Sequence, residues 1–403
     1  MEPGRFSQVF ISGNRLVRQY ADDRRVQFLL VFLWFLGFYG LTSAGKTHFD
    51  EHVRLAYALL HGHTWIAQPP SFMERANFGG HAYIVHPPLP ALVLVPLVAI
   101  FGPSLNQTLV SIVIGAFSVA LVWRLCGLIA SNAQVWLTVF FGLGTTFWYE
   151  ATLGDSWNFA VVVSVPITLL ALNELFGKAR PWIVGLYAGL AALARYDLVL
   201  AWPFYLMLLW ARGQSWRSLW AVAGFAFAAA VSIWFNEVRF GTLGDISLWL
   251  FTRHDGWLQR RMGGGSPIQL RFLPGNLYAL LFMAPVLDET FPYIHPQIQG
   301  QALILTSPAF LLALRPSFRK VIPLLVLLAA EFCMGPVLLW YANGFMQFGL
   351  RFYVQIFPFL IVLMALGVQE AGIDQMGKIL IVVSILMVAY GTWHIRTIGF
   401  APN

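Results

Sequence analysis

The chain alternates long apolar runs with short polar breaks, and the lengths of the runs set the elements. A helix needs roughly 20 apolar residues to cross a bilayer. Stretches near that length lie at 26–44, 107–130, 134–152, 156–176, 218–236, 300–314, 321–341, 352–368 and 378–394. Two further stretches are ambiguous. Leu89 to Gly102 is short and carries Pro90 and Pro96 behind Pro87-Pro88. Trp182 to Ala211 is about 30 residues, or ~45 Å as helix, too long for one ordinary span, and it is interrupted by Arg195-Tyr196-Asp197.

Loop charge arbitrates, because basic loops gather on one side of a membrane. If 89–102 crossed, Arg124, Lys178, Arg180, Arg212, Arg217, Arg315, Arg319 and Lys320 would face away from Arg5, Arg15, Arg18, Arg24 and Arg25. Lying along the interface, it leaves all of them on one side. Trp182–Ala211 then reads as a short helical hairpin. The expectation is an all-α integral membrane protein with about eleven transmembrane helices. A cytoplasmic basic tail (1–25) precedes a transmembrane domain (26–403). That domain includes a first outer loop (45–106) with exoplasmic amphipathic helices and a long outer loop (237–300), and its C-terminus is outside.

Composition agrees. Of 403 residues, 58% are hydrophobic and 11% charged, against about 25% charged in globular domains; mean hydropathy is +0.69. No water-facing domain of any size fits, and the runs exceed the ~10-residue strands of an outer-membrane barrel. The net charge of +7 reads as lysine and arginine beside anionic lipid, not as a nucleic-acid footprint. Cys126 and Cys333 both sit in apolar runs, which argues against a disulfide framework. The first 25 residues are polar and basic, unlike a cleavable signal peptide.

With this sidedness Asp50, Glu51, His86, Glu150, Asp155, Arg195, Asp197, Arg239 and Arg351 all fall at outer ends of spans. The long outer loop adds Arg253, Arg260, Arg261, Gly263-Gly264-Gly265 and Arg271, a pattern that suggests a mobile segment ordering over an anionic substrate. The adjacent carboxylates Asp50-Glu51 begin an amphipathic helix soon after the first span. Ionisable groups beside lipid are costly and tend to mark sites, so the pair points to an enzyme acting at the membrane surface on a lipid-borne substrate.

The order of basic tail, span, Asp-Glu loop, amphipathic helix, Pro-Pro and interfacial helix resembles the GT-C superfamily of membrane glycosyltransferases. The nearer likeness is to protein O-mannosyltransferases and lipid A aminoarabinose transferases. Further matches are Phe101-Gly102-Pro103-Ser104, Gly154-Asp155, Ala194-Arg195-Tyr196-Asp197, Asn236-Glu237-Val238-Arg239-Phe240-Gly241 and Phe348-Gly349-Leu350-Arg351-Phe352. The resemblance covers most of the chain, without the large soluble C-terminal domain of many relatives. It implies transfer of a sugar, a hexose or a pentose, from a polyprenyl-phosphate donor to a glycan, lipid or protein acceptor. The transfer would be inverting and on the exoplasmic face, in a bacterial plasma membrane with the N-terminus cytoplasmic.

The resemblance makes Asp50 the general base; the bland alternative is a helix start with Thr47 as N-cap, Asp50 at N3 and Arg54 as ion-pair partner. Asp155 is a second catalytic acid or a simple helix-start residue. Glu51 and His86 are placed among the substrate-binding residues: Glu51 supports the loop, and His86, standing where relatives carry a basic or acidic residue before the proline, either touches donor phosphate or is only a satisfied polar group. Arg351, Arg195 and Arg239 are the substrate-binding cations, the first two for donor phosphate, since a guanidinium holds phosphate in a bidentate fork. His48 and His52 have i,i+4 spacing, with His61 and His63 nearby, so a divalent metal stays open as a cofactor, although no residue is assigned as its ligand. Glu331, mid-span, would cost about 2.5–3.5 kcal/mol facing lipid as a charge and is expected to face the bundle interior. A lipid or sugar transporter or flippase is the alternative reading, with Glu331 and the broken hairpin as its features. A lipid acyl- or phosphotransferase is a third; it would need a nucleophile that the sequence does not offer.

Overall fold

The computed structural model describes residues 23–254, 256–263 and 265–400. All but the last three residues of the expected basic tail lie outside the described residues, as do Gly264 of the triple glycine and 401–403.

Asp23 caps the first helix, α1 (Arg24–Leu41), by accepting the amide of Arg25 at 2.8 Å. The first loop then holds α2 (Glu51–Leu60), an antiparallel hairpin of β1 (Arg75–Phe78) and β2 (His81–Ile84), and α3 (Leu89–Phe101). The hairpin is an addition to the two expected helices. Its signal is Gly79-Gly80, both at positive φ, as a two-residue turn between twisted strands requires. At 13 residues α3 is ~20 Å long, short of a ~30 Å hydrocarbon core. It packs on α2, and Val53, Ala56, Leu94 and Val98 share one buried cluster with Phe159 and Val163.

The body continues with α4 (Gln107–Ile129), α5 (Gln134–Leu143), α6 (Phe147–Leu153), α7 (Ser156–Phe176), α8 (Pro181–Ala194), α9 (Trp202–Leu209) and α10 (Trp220–Phe240). The longer helices pack in chain order, α1 on α4, α4 on α7, α7 on α8 and α8 on α10. The α8–α10 approach is close because it is glycine against backbone. A Cβ on Gly185 would lie 1.9 Å from the Ala221 carbonyl, and one on Gly224 would lie 2.0 Å from that of Trp182. Small residues let membrane helices meet this way. Trp202 and Phe225 stack at 4.4 Å, where a straight helix would hold them ~35 Å apart. The stretch Tyr196–Phe240 therefore doubles back, at Gly213 and Ser215.

The loop after α10 is not structureless. It contains α11 (Ser247–His254), α12 (Gly256–Met262), α13 (Leu273–Phe282) and a short hairpin of β3 (Val286–Leu287) and β4 (Ile294–His295). Then come α14 (Leu303–Thr306), α15 (Val321–Leu338), α16 (Arg351–Val354), α17 (Phe357–Val368) and α18 (Gln375–Thr397). α18 clasps the β3–β4 hairpin. His394 Nε2 and His295 Nδ1 are 3.0 Å apart, His394 Nδ1 donates to Gly399 O at 2.9 Å, and Arg396 donates to Thr152 Oγ1.

Among the described residues six helical segments are long and apolar enough to cross a membrane, Tyr196–Phe240 counting as one. The architecture is thus that of an all-α membrane protein. Three expected spans are broken helices. The run at 300–314 becomes α14 and a 3-10 segment, Pro308–Leu314, since a proline disfavours helical geometry in the residue before it. The run at 352–368 divides at Gln355–Ile356, because Pro358, in the first turn of α17, has no N–H to give to the preceding turn, and that at 134–152 divides at Gly144–Thr146. Glu331 corrects another expectation: it lies on the exposed side of α15 beside exposed Phe332, not in the bundle interior. Cys126 and Cys333 are buried and unpaired.

Candidate functional site

Segment 47–52 is sewn to the ends of α4 and α7. Thr47 N–H donates to Thr108 Oγ1 at 3.2 Å, and Thr108 Oγ1 donates to Leu153 O at 2.8 Å. Gln107 Nε2 donates to Gly154 O at 2.8 Å. Ser156 is the hub: its Oγ donates to Phe49 O at 2.8 Å and accepts Glu51 N–H at 2.9 Å. Its carbonyl accepts His52 Nε2 at 2.9 Å, which fixes the tautomer protonated on Nε2. Gly154 makes the junction possible. It sits at φ +67, and a Cβ there would lie 2.5 Å from the Thr108 Cα.

This stitching shifts the expected helix start. Thr47 does not cap α2; its Oγ1 accepts Phe49 N–H at 3.1 Å, and Asp50 occupies the N-cap position without a side-chain capping bond. The Asp50 carboxylate instead accepts Arg54 Nε at 2.7 Å while keeping 15% of its side chain exposed. It is the part-open member of the pair.

Glu51 is the closed member. Its side chain is fully buried, and neither carboxylate oxygen has a hydrogen-bond partner among the described residues. Burial, and then the charges of Glu74, Asp155 and Asp50, push its pKa up to about 8. His86 Nε2 stands 3.6 Å from Glu51 Oε2. Loss of solvent holds the His86 pKa well below the usual imidazole range, with His52, Arg195 and Arg351 adding to the effect. Near neutral pH the two face each other as a carboxylic acid and a neutral ring.

Asp155 is the N-cap of α7, taking Asn158 N–H on Oδ1 and Asn158 Nδ2 on Oδ2, both at 3.0 Å. The helix-start role is therefore real. Burial raises its pKa, with the Asn158 donors and the Arg351 charge pulling the other way. Glu74, not picked out from the sequence, joins the same group. Its pKa is raised by loss of solvent and eased downward by Trp157 and Arg351. The available signal was a lone acid just ahead of the alternating strand β1.

Arg351 opens α16 and is the cation whose charge acts on both Glu74 and Asp155. It lies over Trp157 (5.9 Å) and Phe352 (5.2 Å) and donates through Nη1 to Phe345 O at 3.1 Å; its Nε is buried without a partner. Gln347 accepts the Arg351 amide at 3.2 Å and ties it to the loop through Gln299 O. Arg195 donates Nε to Gln355 Oε1 at 3.0 Å, with Nη2 3.4 Å from Asp197; Gln355 also bonds Asp197. Arg195 and Asp197 thus pair at the break between α8 and α9, with Gln355 as a third partner.

Arg239 belongs to a neighbouring cluster, not to the acid group. It is buried between Phe235 and Phe240 and donates to Asn236 Oδ1 at 2.8 Å and Asp245 Oδ2 at 2.9 Å. Tyr196 OH donates to the same Asp245 oxygen. The Arg239 Nε is buried without a partner among the described residues.

The histidines diverge. His52 is spent on Ser156, His61 Nδ1 donates to Tyr57 O at 2.9 Å, and His63 lies against Trp65 at 4.4 Å. Among the described residues no group of three or more His, Cys, Asp or Glu is placed to hold a metal ion. No family model matches the chain, and no curated protein matches it.

Proposed function

We propose that the chain is a membrane glycosyltransferase that moves a sugar from a polyprenyl-phosphate donor to an acceptor hydroxyl on the exoplasmic face, with inversion. The observation that carries this reading is the convergence of Asp50, Glu51, Glu74 and Asp155 with His86, Arg351 and Arg195 at one end of the bundle. Broken helices and short loop elements supply every one of them. A donor whose lipid stays in the bilayer presents its anomeric carbon at that level.

Asp50, part-exposed and held by Arg54, takes the acceptor proton as the new bond to the anomeric carbon forms. The bond from that carbon to the phosphate oxygen breaks, and the phosphate leaves on its lipid. Positive groups set where that charge develops lower the barrier. Arg351, with donors still uncommitted, is the main candidate for this task, and Arg195 the second. Phosphate is a good leaving group, so no strong acid is required, and Glu51 and Asp155 serve to shape the pocket.

The finer topology follows from the same reading. Adding to the six long segments the broken runs at 134–153, 303–314 and 351–368, the helix α8 and the short helical return through α9 as crossings gives eleven. The N-terminus is then cytoplasmic and the acid group exoplasmic, in a bacterial plasma membrane. The acceptor class is a glycan, lipid or protein. The test is to incubate purified protein in vesicles with a labelled polyprenyl-phosphate sugar and an acceptor mixture. Covalent transfer of label with release of polyprenyl phosphate is the expected outcome. Movement of intact donor between leaflets without transfer would favour a flippase instead.

A further inference from the structure

The acid group occupies one end of the α1–α4 pair, and the opposite end, ~27 Å away along α1, has different chemistry. There the first turn of α1 meets the last turns of α4. Arg24, Arg25 and Arg124 line a cleft of about 530 Å³ together with Phe28, Trp123 and Leu128. None of the three guanidinium groups has a hydrogen bond or ion pair among the described residues; Arg25 is engaged only through its backbone amide. The acid nearest Arg124 in effect is Glu174, and both of its oxygens are already taken by Arg180. Like charges gathered in one cleft repel unless an anion lies between them. Below the mouth α1 exposes Leu29, Leu30, Leu33 and Trp34, a strip suited to hydrocarbon.

We propose that this cleft binds the phosphate of an anionic phospholipid, whose acyl chains run along the exposed strip of α1. The guanidinium forks match phosphate oxygens, and Trp123 is an aromatic ring of the kind that anchors at headgroup level. A free phosphate shares the headgroup chemistry but gains nothing from the apolar strip. The N-terminal residues 1–22 are a poor occupant on charge, carrying Arg5, Arg15 and Arg18 against Glu2 and Asp22.

Native mass spectrometry of the full chain in detergent, titrated with phosphatidylglycerol or phosphatidylcholine, tests the site. The wild type should retain one phosphatidylglycerol in preference to phosphatidylcholine, and millimolar inorganic phosphate should not displace it. Arg24→Ala and Arg124→Ala should each lower that retention, by roughly fivefold per arginine. Arg124→Lys should keep most of it, which separates charge loss from misfolding. Arg217→Ala, removing an exposed arginine elsewhere, should leave it unchanged. Equal retention in the alanine variants, an equal loss with Arg217→Ala, or displacement by inorganic phosphate would each overturn the proposal.

Discussion

Asp50 and Glu51 are neighbours in sequence with opposite environments, and two predictions follow from the contrast. For Asp50 we predict that Asp50→Asn leaves expression and donor binding near wild type while turnover falls 10²–10⁴-fold, the usual loss when a general base is removed. An N-cap asparagine replaces aspartate at little cost, so a helix-start role alone would leave turnover within about threefold of wild type. For Glu51 the readout is stability. Its pKa is raised from 4.5 to about 8, so the fold binds the proton more tightly than the unfolded chain does. That contribution is complete below pH 4.5 and lost as pH rises through 8, on the order of 5 kcal/mol at ~1.36 kcal/mol per pH unit. His52 works in the other direction. Its pKa is lowered from 6.5 to about 4, so its contribution is present above 6.5 and lost as pH falls toward 4. We predict that the unfolding temperature of the wild type in micelles declines from pH 6 to 9 and that Glu51→Gln makes that decline shallower, the other buried acids of the group supplying the remainder. Parallel declines in the two proteins would refute the assignment.

At the scale of elements, run length and charge made the long helices legible, and the break at Arg195-Tyr196-Asp197 could be read from its polar residues. Other breaks could not. α14, α16 and the division between α5 and α6 lie inside apolar runs whose composition is that of a continuous span, and only the prolines at 308 and 358 hint at two of them. The site was half legible for a related reason. Asp50, Asp155, Arg195 and Arg351 announce themselves as charges at the ends of apolar runs. Glu74 sits in a loop whose folding back depends on the Gly79-Gly80 turn, and Arg239 is neutralised by Asp245, six residues on, a pairing that needs the turn after α10. Periodicity also failed for Glu331, because a single acid in a uniformly apolar helix does not reveal which side faces outward. We predict that Glu331→Leu raises the unfolding temperature in vesicles, since a lipid-facing charge costs about 2.5–3.5 kcal/mol. A lowered temperature would mean that Glu331 has a partner in the membrane.

For the whole molecule, sidedness is the sharpest expectation. A cysteine placed at Gly102, at the end of α3, should react with an impermeant maleimide added outside intact cells. Reaction only after permeabilisation would move α3, and with it the acid group, to the other face. The same topology gives the final helix a task beyond crossing the bilayer. During synthesis the hairpin of β3 and β4 emerges about a hundred residues before its partner His394, and Thr152 waits longer still for Arg396. Until α18 inserts, His295 and Thr152 have no hold on it, so the end of the bundle that carries the acid group closes last. Closure of that end is therefore tied to completion of the chain, and a ribosome stalled before α18 would leave behind a bundle with an unlatched mouth.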